Sequence, residues 1–281
     1  MYNAVTKILF SFLTFLVVSC GDSDKQKAEK LLIEAEKHII AEDYDLALKL
    51  LDSIDVVYPS QVEMRRKAMH MRPKAIEGTT LNELEKNDSI IATLQVKYNA
   101  MSSSFETIND KRLVEPYIVA KKANKSLFET TGIQARITTE GEFYVISSLV
   151  GNPIKHTSVS LLCGGDEVTT ASVAYDGDRN YRSGNTEMIT FISQECDTLG
   201  VFTRANVDKL MTLRFNGNKS KSVKMSKDDI SSFAITHEYA SIISDLKSAF
   251  RRKEFLEQQL LLARDQIART LDESTINAKE E

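Results

Sequence analysis

Two runs of apolar residues spaced three and four apart bracket a long stretch whose apolar residues alternate instead. The first run is Leu84, Ile91, Leu94, Tyr98, Met101, Phe105 and Ile108, with Asn87 as its polar member. The second is Tyr239, Ile242, Leu246, Ala249, Lys253, Leu256, Leu260, Ala263 and Ile267. This spacing is a heptad seam, and a helix cannot bury its own seam. The simplest arrangement pairs the two helices antiparallel, which brings together the ends of the segment between them. At a rise of 1.5 Å per residue they would reach roughly 45 and 65 Å. Ser226 or Asp228 can cap the start of the second helix. Heptads do not name their partner, so a homodimer through the C-terminal helix is the competing arrangement.

Between the seams the period changes to two. Ile133 to Ile137, Phe143 to Ile146, Val159 to Leu162, Val168 to Tyr175, Met188 to Ile192 and Leu210 to Phe215 read as strands. Gly132, Glu140-Gly141, Gly151-Asn152-Pro153, Gly164-Gly165-Asp166, Asp176-Gly177 and Asn216-Gly217-Asn218 separate or flank them as turns. Asn216-Gly217 between strands is a hairpin signal. Seven or eight short strands at this spacing predict an antiparallel sandwich or barrel. The expectation is an α+β chain, in which a β-sandwich-like domain over 113–225 is inserted into a coiled-coil stalk of 80–110 plus 227–272.

Ahead of the first seam, 27–78 reads as a helical hairpin followed by the start of another helix. Ala28, Leu31, Leu32, Ala35, Ile39 and Ile40 form one stripe, and Leu46, Ala47, Leu50, Leu51, Ile54 and Val57 another. Pro59 closes the second helix, and Pro73 is expected to bend or end a third that starts at Val62. The spacing resembles a tetratricopeptide repeat. Ala35 and Ala47 stand at its small positions and Pro59 at its closing proline, while Leu31 replaces its aromatic. About one and a half repeats are present where roughly three stand alone, so the resemblance implies a helical hairpin rather than a peptide-binding array.

The first residues carry a different signal. Lys7 precedes an apolar run from Ile8 to Val18, too short for a permanent span of about 20 apolar residues. A charged start and a short apolar run make a secretory signal over 1–19. The run closes in Val17-Val18-Ser19-Cys20-Gly21, which resembles a bacterial lipobox. The resemblance implies cleavage before Cys20, a diacylglyceryl thioether on its sulfur and acylation of the new amino terminus. Several acyl chains anchor stably where one is reversible. The polar stretch 20–26 reads as a tether, and its acidic residues resemble the surface-export signals of Bacteroidetes lipoproteins. These resemblances imply a lipid-anchored protein of the bacterial cell envelope, at the outer membrane.

A formal charge of −4 and no concentrated basic stripe argue against general nucleic-acid binding. Past Cys20 the cysteines are Cys163 and Cys196. Export favours a Cys163–Cys196 disulfide, and two buried thiols are the equal alternative. The absence of Trp weakens a sugar-binding surface built on large aromatic platforms.

The most site-like stretch is Asp176-Gly177-Asp178-Arg179-Asn180. Oxygen ligands at alternate positions suit calcium, and Glu187 falls where such a loop places its bidentate carboxylate. Tyr181 occupies the position that needs glycine and Arg182 adds positive charge, so an ordinary turn is the stronger reading of Asp176, Asp178, Asn180 and Glu187. His38, His70, His156 and His237 are scattered without metal-binding spacing. Gly-x-Ser-x-Gly, phosphate-loop and dinucleotide motifs are absent from the sequence. Cys163 before Gly164-Gly165 reads as a structural strand end. No cofactor is implied. The leading expectation is a non-enzymatic binding or adaptor lipoprotein whose partner is another envelope protein. A lipoprotein that captures glycan or cell-wall fragments near Asp176 to Arg182 is the alternative, and a hydrolase the third reading.

Overall fold

The computed structural model describes residues 20–109, 115–123 and 126–280, with side chains at the two ends from 23 and up to 271. The chain is α+β, as the change of period implies. It divides into two compact units: the described residues up to Ser89 together with those from Arg251, and the stretch Ile90–Phe250.

The first unit begins with α1 (Cys20–Ile40) and α2 (Tyr44–Val57), joined by a turn at Glu42 with φ of 61°. Their small residues do what the stripe predicts: Ala28, Ala35 and Ala47 are fully buried, and Leu51 and Ile54 close the core with Met64 and Ala68. The expected tether is helical instead. Asp24 falls near the start of α1, where a carboxylate favours the helix dipole, and Lys27 bonds it at 3.4 Å.

Pro73 does not end a helix either. α3 runs unbroken from Val62 to Ser102 with Pro73 buried inside it. Proline removes one backbone bond there, yet neighbouring side chains hold the helix in place. Arg72 donates to Asp52 at 2.8 Å and Asp55 at 2.9 Å, and Arg65 to Asp55 at 3.1 Å. Gly78 lies under the Tyr44 ring so closely that an added methyl would overlap it.

The C-terminal part of the last helix, α5 (Lys227–Glu280), lies antiparallel to α3 in this unit. Lys253 pairs with Asp88 at 2.8 Å, Arg252 with Glu83, and Arg264 with Glu77 at 2.8 Å. The seam expected from heptads is the buried one: Leu256 and Ala263 are buried and Leu260 and Ile267 half-buried, while Leu261 and Leu262 are exposed. Asn87 faces inward as the polar member of its run.

Among its described residues the second unit holds ten strands: β1 (Phe105–Ile108), β2 (Tyr117–Ala120), β3 (Gly132–Thr138), β4 (Phe143–Val150), β5 (Ser158–Cys163), β6 (Asp166–Thr169), β7 (Asn180–Ser183), β8 (Thr186–Ile192), β9 (Thr212–Asn216) and β10 (Ser220–Lys224). All pairings are antiparallel. One sheet runs β1-β2-β3-β4-β8-β7, the other β10-β9-β5-β6. Their inner faces share one core with the first part of α5. Val145, Leu149, Ile189 and Phe191 meet Val159, Leu161, Leu213 and Phe215, with Phe233 and Tyr239 from the helix. Phe105 was expected to continue a helix, but it opens β1 and stacks on Tyr239, centroids 4.3 Å apart. Val168 to Tyr175 is strand only through Thr169. A short helix, α4 (Asp197–Ala205), sits where no helix is expected. Among the described residues no helix is long and apolar enough to cross a membrane.

Candidate functional site

The residues singled out in the sequence do not converge. Residues 1–19 lie outside the described residues, and Cys20 opens α1 with its side chain outside them as well. The calcium reading is overturned by Glu187, whose carboxylate faces the core rather than the Asp176 loop. In that loop the Asp178 amide donates to Asp176 at 3.1 Å, the Gly177 amide to Asn180 at 2.8 Å, and the Asn180 side chain to the Ala174 carbonyl. The loop oxygens thus close their own turn, and Arg179 pairs with Glu195. Among the described residues no three metal-ligating side chains cluster.

The disulfide is also absent, since Cys163 and Cys196 are both free and buried. Cys163 ends β5. Cys196 precedes α4 and donates its thiol to the Phe191 carbonyl at 3.3 Å. Burial, with Asp197 and Glu195 nearby, pushes the Cys196 thiol up to about 12. It is therefore a packed hydrophobe rather than a nucleophile.

What the strands do assemble is a polar bridge inside the sandwich. Glu187 on β8 shares the inward parity of Ile189 and Phe191, and Ser147 on β4 that of Val145 and Leu149. His156, between β4 and β5, joins them. Its Nε2 lies 2.9 Å from Ser147 Oγ and its Nδ1 3.4 Å from Glu187 Oε1. Lys155 takes a left-handed φ of 56°, which turns successive amides the same way. The amides of Ile154, Lys155 and His156 all donate to Glu187, the last two at 3.0 and 3.1 Å. Ser147 and His156 have no exposed surface and Glu187 has 1%.

Burial holds the His156 imidazole below its ordinary range, against the opposing pull of Glu187. The neutral ring carries its proton on Nδ1 toward Glu187 and accepts the Ser147 hydroxyl at Nε2, a tautomer assigned from these contacts. Serine, histidine and carboxylate in this order form the relay of a hydrolase. Here the serine is sealed between two sheets, so in this conformation the relay joins strands and meets no substrate.

Two surface features complete the inventory. α4 packs on α5 through Gly200, where a methyl would overlap the His237 ring, and His237 Nε2 lies 2.9 Å from Asp197 Oδ1. Beside that contact lies an open groove of about 530 Å³ with Val201, Val207, Ala234 and Ile235 along it and Arg204 and Glu238 among its polar residues. The second feature is the outer edge of β10, which carries Lys221 and Lys224 at the end of its sheet. An open strand edge is expected of any such sheet, whereas the groove has no trace in the sequence. The groove needs α4, whose nine residues include Gly200 and two threonines that weaken a helical signal.

Comparison with known proteins finds no matching family model, no matching curated protein and no matching solved structure.

Proposed function

We propose that this chain is a lipid-anchored envelope lipoprotein that acts as a non-enzymatic binding or adaptor module. The single observation that carries the reading is the apolar run Ile8 to Val18 closing in Ser19-Cys20-Gly21. Acyl chains on Cys20 would hold the protein at a membrane surface, in the outer membrane of the cell envelope, and leave the rest of the chain in water. A sandwich with open strand edges and a helical groove supports the binding role, because such surfaces take up strands and helices of partners. The partner on this reading is another envelope protein, and the membrane contact is lipid alone.

The experiment is paired fractionation and crosslinking in cells. Wild-type protein is expected in the detergent-extractable membrane fraction, crosslinked to a defined second protein, and Cys20→Ser in the soluble fraction. Recovery of the bait alone, with and without crosslinker, overturns the adaptor reading. Membrane retention of Cys20→Ser overturns the anchor.

A further inference from the structure

We propose that the open edge of β10 docks an extended, acidic peptide segment as an added strand. This rests on the binding-module reading and names its surface and the chemistry of its partner. A failure of lipid attachment at Cys20 would defeat that reading without touching this edge, and a silent edge would leave the anchor standing.

β10 closes one side of the four-stranded sheet, and β9 is its sole strand neighbour among the described residues. The direction of its backbone groups follows from two bonds. The Met225 amide donates to the Met211 carbonyl at 3.0 Å, so that pair bonds across the β9–β10 ladder. The Asn216 carbonyl accepts from Thr157 at 2.8 Å on the β5 side, so Asn216 and its partner Ser220 do not bond each other. Bonded and non-bonded pairs alternate in an antiparallel ladder. Lys221 and Val223 therefore spend their amides on β9. Ser220, Ser222 and Lys224 turn theirs outward, and all three are exposed.

The side chains along this edge select the strand that can use it. Lys219, Lys221 and Lys224 lie within six residues in a chain of net charge −4. Among the described residues none of the three is in an ion pair, and Lys221 Nζ reaches only the Val150 carbonyl, at 3.3 Å. Lysines on an edge repel basic strands and disfavour neutral ones, which includes a second copy of β10 itself. The same charges attract carboxylates, so one device both excludes and selects. Val223, half-buried between Lys221 and Lys224, asks for an apolar neighbour. The complementary strand carries acids beside Lys221 and Lys224 and an apolar residue beside Val223.

The test uses the full chain and a fluorescein-labelled peptide, about seven residues long to match a typical strand, whose centre reads Glu-Val-Thr-Glu, so that an antiparallel strand sets its acids beside Lys224 and Lys221 and its valine beside Val223. Fluorescence anisotropy is expected to show saturable binding that weakens as salt is raised. Replacing glutamate by lysine in the peptide should abolish it, and so should N-methylation at the alternate amides that form the ladder. Lys221→Glu with Lys224→Glu should weaken binding by roughly tenfold or more, as rim charges do when reversed. Ser222→Pro removes an outward amide that β9 does not use, so it should block binding while leaving the melting curve in place. No saturable binding overturns the proposal. So does binding that survives N-methylation, because charge alone would then account for it. If Ser222→Pro disturbs the fold, the N-methylated peptide alone decides.

Discussion

Lys155 bends left so that three amides can meet one carboxylate. A non-glycine residue in that region costs roughly 1–2 kcal/mol, and three charge-assisted bonds to Glu187 offset it. Lys155→Gly should therefore raise stability by about 0.5–1 kcal/mol in urea unfolding, the relieved strain less glycine's added chain entropy. Glu187→Ala should lower it by about 3–5 kcal/mol, since buried donors lose their acceptor. The imidazole of His156 supplies a pH dependence with a definite sign. The unfolded chain takes up a proton there near 6.5, whereas burial makes the folded chain resist it. Stability is thus fully present above 6.5. It falls as the pH drops below that value, by up to about 1.4 kcal/mol per pH unit. His156→Gln should flatten the urea midpoint between neutral pH and the onset of carboxylate titration. The two thiols give a simpler readout. Cys163 and Cys196 should react with a thiol reagent only after unfolding, and mass analysis should then find both labelled.

At the scale of elements, the seams were legible and the interruptions were not. Leu256 and Ala263 are buried where a heptad places them, because long amphipathic helices announce their buried face through period alone. Pro73 reads as a bend or a stop from sequence, but its helix is also held by Arg72 on Asp52 and Asp55, contacts 20 and 17 residues away. The strands were legible as a class, and the Asn216-Gly217 turn as a hairpin. Short strands such as β6 and β7 were blurred, because their exposed faces lack alternation. The bridge of Ser147, His156 and Glu187 joins three separate segments, so no local motif could reveal it. Its one legible trace is Glu187 sharing parity with Ile189 and Phe191. The docking of α4 hangs on a glycine: Gly200→Ala should destabilise the second unit by about 1–3 kcal/mol, since the His237 ring must move. His237→Ala in the same chain should recover part of that loss, a coupling a double-mutant cycle measures.

At the scale of the whole molecule, the proposed function rests on one sulfur atom and on open surfaces. The bridge of Ser147, His156 and Glu187 is enclosed, and the Asp176 loop closes on itself. On the proposed reading, the surfaces that partners would meet among the described residues include strand edges and a groove, which suit strands and helices of other proteins. On that reading, all of this gains its setting from Cys20. The most direct measurement is the mass of the amino-terminal tryptic peptide of protein purified from its native membrane. The account predicts a peptide that starts at Cys20 and ends at Lys25, carrying a diacylglyceryl group and an amide-linked acyl chain. An unmodified peptide that runs from Ile8 through Cys20 to Lys25 would contradict it.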